Sequence, residues 1–296
     1  MPKDNILPPS VFILGAPKCG TTSLAWYLNQ HPQVVEPKKK EPNFFSDDLP
    51  LQEVETLDEY LRLFEKQKAS ERLSFEASTW YLYSEVAAKN IKNFDPDSKL
   101  IVLIRNPIEM VQSLHSQQLY NLHETIFDFE QAWYAQFTEE RKGHWLLQYK
   151  KCCETGTQLS RLLTTVDKSR LKVILFDDLK SNPERVFLDV QSFVGIDEFK
   201  LLDYSPKNSN KTLRSRAVQE FTKNTPKPLV SIVNVIKKLF GIKRIGLSKV
   251  IERANKVEQS RGGIRGEFKA VLVKEFEEEI SKLELIVERD LSHWKY

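Results

Sequence analysis

Cysteine and long apolar runs are scarce in this sequence, and each scarcity excludes a class of protein. Only three cysteines occur among 296 residues, and Cys152 and Cys153 are adjacent, so we expect a reducing compartment and no disulfide framework. No apolar run approaches the roughly 18 residues of a membrane-spanning helix, and the opening stretch MPKDNILPPSVFILGAP holds none long enough for a signal peptide. We therefore expect a cytoplasmic protein without a transmembrane anchor.

An excess of charge of either sign is also missing. Basic side chains number 44 and acidic ones 41, which leaves a net charge of +3. Such a balance provides no global field for nucleic acid or for a membrane surface. We expect no nucleic-acid partner, and any basic site has to be local.

Short apolar strands alternate with amphipathic helices along most of the chain. Strands are predicted at 10–15, 98–107 and 171–179, with a further β-prone segment at 75–83. Helices are predicted from Thr21, from Pro107, over 183–195 and over 267–289. This alternation predicts an α/β fold, a three-layer sandwich around a central parallel sheet, in a single domain over residues 1–296.

The segment FILGAPKCGTTSL at 12–24 joins a predicted strand to a predicted helix through a glycine-bracketed loop. Backbone N–H groups and the positive end of the helix dipole converge at such a junction and bind anions. Gly15 and Gly20 keep the spacing of the ATPase phosphate loop, but its lysine has moved inside the loop, to Lys18. The segment therefore predicts an anion site. Further hydroxyl donors stand at Thr21, Thr22 and Ser23.

Two neighbouring strands give different answers about which anion binds. A kinase or ATPase needs magnesium, and Asp177 or Asp178 after the strand at 171–179 could hold it, although both could equally cap the next segment. The strand at 98–107 ends instead in Arg105, at the edge where α/β proteins bind ligands. An arginine there suits a second phosphate, and Ser113 follows it by eight residues. The alternatives are a surface ion pair for Arg105 and a helix serine bonded to its own backbone for Ser113.

These motifs resemble those of the sulfotransferases that use 3′-phosphoadenosine 5′-phosphosulfate (PAPS). GAPKCGTTSL is similar to their 5′-phosphosulfate loop, and IRNPIEMVQS resembles their 3′-phosphate motif. KKKEPNFFS at 38–46 is similar to the Glu-x-x-Phe-Phe segment of the heparan-sulfate type and its bacterial relatives. LFDDLKSNPERVFLDVQSFVGI and ERDLSHW resemble later segments of the family. The resemblance covers most of the chain and implies the P-loop-like sulfotransferase fold.

The resemblance also implies roles for the donor-binding residues. PAPS would be the co-substrate, with no metal required, and the acids at 177 and 178 would be structural. Lys18 would stabilise the charge on the leaving phosphate, and Arg105 with Ser113 would hold the 3′-phosphate. The 5′-phosphate would lie against the hydroxyls and backbone amides of Cys19, Gly20, Thr21, Thr22 and Ser23.

The base that removes the acceptor proton is predicted by the same resemblance to be Glu41. The alternative for Glu41 is a loop acid paired with the adjacent lysines. The rival base is a histidine, and His31, His115, His123 and His144 are available, with His31 expected as a cation at a helix end. Many relatives carry a lysine where this chain has Ala77, so a second cation is missing or supplied by another residue such as Lys40.

Three readings of the activity follow. The first is transfer of a sulfuryl group to an acceptor hydroxyl, on a carbohydrate. The alternatives are a P-loop kinase or NTPase that uses magnesium and Asp177, and a non-catalytic binder of nucleotide or glycan, which only Ala77 supports. A variant Glu41→Gln separates the enzyme from the binder.

The acceptor side is predicted from composition alone. The lysines at 38–40 suit either an anionic glycan or a solvated charge run, and the aromatic residues near them suit either a cleft or the core.

Residues 207–262 are less regular and are expected to form a lid or an acceptor-side insertion. Within them the basic, apolar segment 228–247 suits a lid or packing element and, as a minority alternative, peripheral membrane contact. Arg261, Gly262 and Arg265 resemble the family's C-terminal loop only loosely. Cys19 is expected to be a small packing residue, and a reactive thiol with a pKa lowered by the helix N-terminus is the lesser alternative.

Overall fold

The computed structural model describes residues 5–206 and 263–296 in full and the backbone of 211–213 and 256–258. Two compact units divide these residues. The first comprises 5–111, 150–206 and 266–296, and the second 112–149 with 211–213, 256–258 and 263–265. Whether the chain acts as the single domain expected from its sequence stays a prediction.

A five-stranded sheet forms the centre of the first unit. Its strands are β1 (Val11–Gly15), β2 (Val34–Val35), β3 (Leu73–Ala77), β4 (Lys99–Ile104) and β5 (Leu171–Leu175). All neighbours are parallel, in the order β2-β3-β1-β4-β5, with Phe12 opposite Glu76 and Ile104 opposite Leu175. Every residue of β1 and β3 is buried, as the continuous apolar runs of a sheet covered on both faces require. The predicted α/β class with a central parallel sheet is confirmed.

Helices connect and flank the strands. Their bounds are α1 (Thr21–Asn29), α2 (Leu57–Leu61), α3 (Ala87–Phe94), α4 (Pro107–Asn121), α5 (Phe129–Ala135), α6 (Tyr149–Cys153), α7 (Thr155–Leu163), α8 (Phe176–Ser181), α9 (Pro183–Val194) and α10 (Gly266–Val287). Pro107 and Pro183 begin α4 and α9, because the fixed φ of proline suits a first helical turn. Gly195 ends α9 in a left-handed conformation, as its sequence position predicts.

Three predicted strands are shorter in the structure, and the first of them, expected at 98–107, is Lys99–Ile104. The strand expected at 171–179 ends at Leu175, and Phe176–Ser181 is the helix α8. The segment expected at 75–83 is a strand only as far as Ala77, after which residues 78–83 turn. β5 ends opposite Ile104, the last residue of β4, since a parallel strand without a partner leaves its backbone unpaired. β3 ends opposite Ile13, where its pairing with β1 stops.

The second unit contains a buried ion pair. Glu124 is 1% exposed and accepts hydrogen bonds from Arg141 Nη1 at 2.5 Å and from Tyr149 Oη at 2.7 Å. Burial opposes the charge of Glu124, but the donors from Arg141, Tyr149 and nearby amides prevail and lower its pKa to about 2. A two-stranded antiparallel pair, β6 (Lys211–Leu213) and β7 (Lys256–Glu258), also belongs to this unit.

Candidate functional site

Two glycines bracket the loop between β1 and α1. Gly15 has φ 140° and Gly20 has φ 92°, conformations that residues with a Cβ rarely adopt. A Cβ on Gly20 would lie 2.7 Å from Leu179 Cδ2, and one on Gly15 would lie 2.5 Å from the carbonyl oxygen of Thr79. The loop can therefore approach α8 and the turn after β3 only with glycine at these positions.

The residues between and after these glycines differ in their exposure to solvent. Lys18 is partly exposed, with a left-handed φ of 67°. Among the predicted hydroxyl donors, Thr21 and Ser23 are 5% and 7% exposed, whereas Thr22 is more open. The first amides of a helix have no acceptor within the helix, so the start of α1 keeps donors for an anion.

Cys19 packs in the core beside this loop, as expected, but its thiol is not acidic. Its Sγ lies 3.8 Å from Met110 Sδ, and its amide donates to the carbonyl oxygen of Ala16 at 3.3 Å. Burial raises the pKa of the Cys19 thiol to about 12, against the lowering effect of Arg105 and Lys18. The lesser alternative, a pKa lowered by the helix N-terminus, is therefore wrong, because desolvation is the stronger effect.

Arg105 follows β4 and lies over the ring of Phe176, the first residue of α8. Its Cζ is 4.6 Å from the ring centroid, and its Nη1 lies 3.4 Å from the carbonyl oxygen of Lys18. The Nε and Nη2 atoms donate to Glu109 Oε2 at 2.9 and 2.5 Å. The guanidinium is thus held beside the loop, and an anion that binds it has to share it with Glu109.

Lys40 links the loop helix to Glu41. Its Nζ lies 3.1 Å from Thr22 Oγ1 and 3.2 Å from Glu41 Oε1. The Glu41 side chain is 32% exposed, and its backbone has a left-handed φ of 53°. The sequence-predicted base and the start of α1 are therefore neighbours, joined by one ammonium group.

The other lysines of this segment also have acidic partners. Lys38 pairs with Glu65, and Lys39 Nζ lies 2.6 Å from Glu53 Oε2. These pairs reduce the positive charge available to attract an anionic glycan. Of the nearby aromatic residues, Phe45 and Tyr81 belong to the core, while Phe44, Trp80 and Tyr83 are partly exposed.

The acids after β5 are bound by side chains near residue 290. Trp294 Nε1 donates to Asp177 Oδ2 at 2.8 Å, and Arg289 pairs with Asp178 at 2.5 Å. These contacts support the structural role that the resemblance implies for both acids. Among the described residues, no cluster of three metal-ligating side chains occurs.

Of the four histidines proposed as a rival base, His31 lies in the first unit and His115, His123 and His144 lie in the second. His31 is 2% exposed, its Nε2 lies 2.9 Å from the carbonyl oxygen of Asp197, and burial lowers its pKa. The expectation that His31 is a cation at the end of α1 is therefore wrong. In the second unit, His115 is 3% exposed and contacts the carbonyl oxygen of Ile126, and burial lowers its pKa too, while His123 and His144 are exposed.

Several predicted residues stay outside this geometry. Ser113 is buried on the part of α4 that belongs to the second unit, and its phosphate role stays a prediction. Arg265 lies 3.8 Å from Glu130. Arg261, Gly262 and the segment 228–247 lie outside the described residues. In the helices that the structure describes, none is long and apolar enough to cross a membrane.

Two contacts of Arg105 were missed by sequence reasoning. Phe176 supports the guanidinium, and Glu109 competes for it. Glu109 carried a signal, because it stands four residues after Arg105 at the start of a predicted helix, a spacing at which opposite charges meet. Phe176 carried none, since it reads as the continuation of an apolar strand.

Comparison with known proteins places these features in context. Residues 8–238 match the family model described as "Sulfotransferase domain". The mouse (Mus musculus) bifunctional heparan sulfate N-deacetylase/N-sulfotransferase 4 is 28% identical over 203 residues, 64% of this chain and 22% of its own length. The membrane-associated sulfotransferase kil1 of Dictyostelium discoideum is 31% identical over 103 residues, 34% of this chain and 21% of its own.

A solved structure is similar over nearly the whole chain. The crystal structure of a sulfotransferase from Alicyclobacillus acidocaldarius has a TM-score of 0.73 and 25% identity, covering 98% of this chain and 100% of that one. The chain spans only about a fifth of the curated relatives that it matches, 22% for the mouse protein. Their full activities therefore do not transfer directly.

Proposed function

Because the chain belongs to the sulfotransferase domain family, we propose that it transfers a sulfuryl group from PAPS to an acceptor on a carbohydrate. The observation that carries the proposal is the position of Lys40 Nζ, 3.1 Å from Thr22 Oγ1 and 3.2 Å from Glu41 Oε1. It joins a carboxylate that can accept a proton to a helix start that can bind an anion.

The donor fits the two cationic regions of this site. Lys18 and the start of α1 suit the 5′-phosphosulfate, and Arg105, 3.4 Å from the Lys18 carbonyl oxygen, suits a second phosphate close by. Charge-assisted bonds from a guanidinium to phosphate are among the stronger hydrogen bonds. Glu109 has to yield part of Arg105 when that phosphate binds.

The transfer follows from these positions. The acceptor atom forms a bond to sulfur while the bond between sulfur and the bridging phosphate oxygen breaks in line with it. The acceptor proton moves to Glu41, and the electron pair leaves with adenosine 3′,5′-bisphosphate, whose growing charge Lys18 stabilises. With Ala77 in place of the family lysine, Lys40 is the cation that contacts both Glu41 and the loop helix.

The first test is thermal unfolding with adenosine 3′,5′-bisphosphate in EDTA. At about a hundred times its dissociation constant, a ligand adds about 2.7 kcal/mol to stability, which raises Tm visibly. We expect this shift in the wild type and its loss in Arg105→Ala. Arg185→Ala is the matched control, because Arg185 also pairs with an acid four residues on but lies on the exposed face of α9.

The kinase alternative makes the opposite prediction. Stabilisation by ATP with magnesium, and none by the bisphosphate in EDTA, would contradict the sulfotransferase proposal. The binder alternative is tested by turnover: Glu41→Gln should lower sulfuryl transfer about 10²- to 10⁴-fold, leaving a measurable residual rate, while it keeps the Tm shift. If the wild type binds adenosine 3′,5′-bisphosphate but never converts PAPS to it, the protein is a binder and not an enzyme.

The acceptor atom has two candidates. A hydroxyl is expected from the resemblance, whereas the names of the relatives at 25–28% identity include N-sulfotransferase, which favours an amine. De-N-sulfated heparan sulfate offers both groups, and its N-acetylated form offers only hydroxyls. Sulfation of both substrates indicates a hydroxyl, sulfation of the first alone indicates an amine, and sulfation of neither contradicts a heparan-type acceptor. The cytoplasmic location stays a prediction.

A further inference from the structure

A buried carboxylate lies behind the segment that carries Glu41. Glu76, in β3, is 1% exposed. Three hydroxyls donate to it: Ser78 Oγ to Oε1, and Tyr60 Oη and Tyr81 Oη to Oε2 at 2.6 and 3.1 Å. A buried carboxylate is costly unless such donors satisfy it, so the cluster needs all of its parts.

Two of these hydroxyls extend the network to the backbone near Glu41. The Asn43 amide donates to Ser78 Oγ at 3.1 Å, and the Phe45 amide donates to Tyr81 Oη at 3.1 Å. A hydroxyl has a single hydrogen, which Ser78 and Tyr81 both give to Glu76. The direction of each chain is therefore fixed, from backbone amide to hydroxyl to carboxylate.

The turn that these chains hold is conformationally unfavourable. Glu41 has φ 53° and Asn43 has φ 52°. Asparagine adopts this left-handed conformation readily, but a glutamate keeps it only where its surroundings fix it. Asn43 Nδ2 also donates to the Glu41 carbonyl oxygen at 2.8 Å, which couples the two residues. A change at the hydroxyls thus reaches the backbone of Glu41 through Asn43 and Phe45.

We propose that Glu76 is a positioning residue for Glu41, acting through Ser78 and Tyr81 to hold the 41–45 turn in its productive conformation. This inference rests on the proposed role of Glu41 as base. Glu76 itself is too deeply buried to touch a substrate, so its effect is on the geometry of proton transfer.

The protonation state of Glu76 controls the same network. A protonated Glu76 carries its own hydrogen, so one of the three hydroxyls loses its acceptor. Burial raises the pKa of Glu76 to about 7, the three hydroxyl donors oppose that rise, and the charge of Glu41 adds to it. Tyr60 and Tyr81 stay protonated, because burial raises the pKa of both. The turn is therefore held best above neutral pH.

Tyrosine variants test the proposal with a matched control. Tyr81→Phe removes the hydroxyl that joins Glu76 to the Phe45 amide. Tyr60→Phe removes a hydroxyl from the same carboxylate oxygen, but Tyr60 meets the turn through its ring, stacked on Phe44 at 4.5 Å, which phenylalanine keeps. Ser78→Ala is the second test variant, since it cuts the other chain.

The measurement is kcat with PAPS and de-N-sulfated heparan sulfate, together with the dissociation constant of the bisphosphate. We expect Tyr81→Phe and Ser78→Ala to lower kcat at least about tenfold with unchanged bisphosphate affinity, since small misplacements of a reacting group cost this much. Tyr60→Phe should lose much less. In a Glu41→Gln background, Tyr81→Phe should cause no further loss, because the group that it positions is gone.

Two outcomes would overturn the proposal. Equal losses in Tyr60→Phe and Tyr81→Phe would show that only burial of the carboxylate matters. A loss that persists in the Glu41→Gln background would show an effect independent of Glu41. If Glu41→Gln alone keeps wild-type kcat, the assignment of the base fails, a result distinct from failure of the positioning network.

Discussion

Glu76 faces opposing demands at the scale of a single residue. Its position in β3 removes it from water, which favours the neutral acid, whereas three hydroxyl donors favour the carboxylate. Desolvation prevails, and the pKa rises from 4.5 to about 7. A raised carboxyl pKa means that the native state binds the proton more tightly than the unfolded chain does.

The pH dependence of stability should report this residue. The contribution of Glu76 is fully present below pH 4.5 and is lost as pH rises through about 7, where the native state gives up its proton. We expect the free energy of unfolding of the wild type, minus that of Glu76→Gln, to fall by about 2.5 kcal/mol between pH 5 and pH 8. Urea titrations at both pH values measure it, and a difference that does not change with pH would contradict the raised pKa.

At the scale of elements, Glu279 of α10 serves as the cap of α7. The residue that precedes α7, Glu154, makes no side-chain cap. Glu279 is 5% exposed and accepts from the Thr157 amide at 2.8 Å and from Thr157 Oγ1 at 2.5 Å. A carboxylate at a helix N-terminus also interacts favourably with the positive end of the helix dipole. Two helices more than a hundred residues apart are thus joined at Thr157, whose Oγ1 also lies 2.9 Å from Lys282 Nζ.

Removal of this charge should destabilise the first unit. Glu279→Gln keeps the shape but weakens two hydrogen bonds to a buried carboxylate, and we expect a loss of about 2 kcal/mol in the free energy of unfolding. Glu278→Gln is the control, because Glu278 is exposed and pairs across one helical turn with Lys282, the same lysine that lies 3.0 Å from Glu279 Oε1. Circular dichroism in urea measures both variants, and similar losses would contradict the capping role.

The order and type of the main elements could be predicted from the sequence, because apolar runs and prolines at helix starts are local signals. The end of β5 could not be predicted in this way. β5 stops at Leu175 because its partner strand β4 stops at Ile104, which lies opposite, and no local signal near Leu175 reports this. The loop and Arg105 were predictable from short motifs. The Glu76 network could not be predicted, because its hydroxyls share no sequence motif. Tyr60 lies in α2, and Ser78 and Tyr81 lie in the turn after β3. Such a network exists only after the chain has folded.

At the scale of the whole molecule, distant parts of the chain meet behind Arg105. Asn106, which follows Arg105, donates through Nδ2 to the carbonyl oxygen of Trp294 at 3.0 Å. The Trp294 indole donates to Asp177, the residue after Phe176. Arg105 lies over the ring of Phe176. Trp294 is 2% exposed, so a single buried residue joins both elements that position the guanidinium. Donor affinity should therefore depend on a residue that lies outside the site.

Trp294→Phe tests this dependence, because phenylalanine keeps most of the ring but lacks the indole N–H. The lost hydrogen bond should lower the free energy of unfolding by about 1 kcal/mol and weaken binding of adenosine 3′,5′-bisphosphate by up to about fivefold. His293→Ala is the control: His293 Nε2 lies 3.4 Å from the same Asp177 oxygen, but its side chain is 61% exposed, so we expect little change. Calorimetric titration of both variants decides the question. Unchanged affinity in Trp294→Phe would show that α8 and Arg105 keep their positions without this contact, and that the Phe176 ring together with Glu109 suffices to hold the guanidinium.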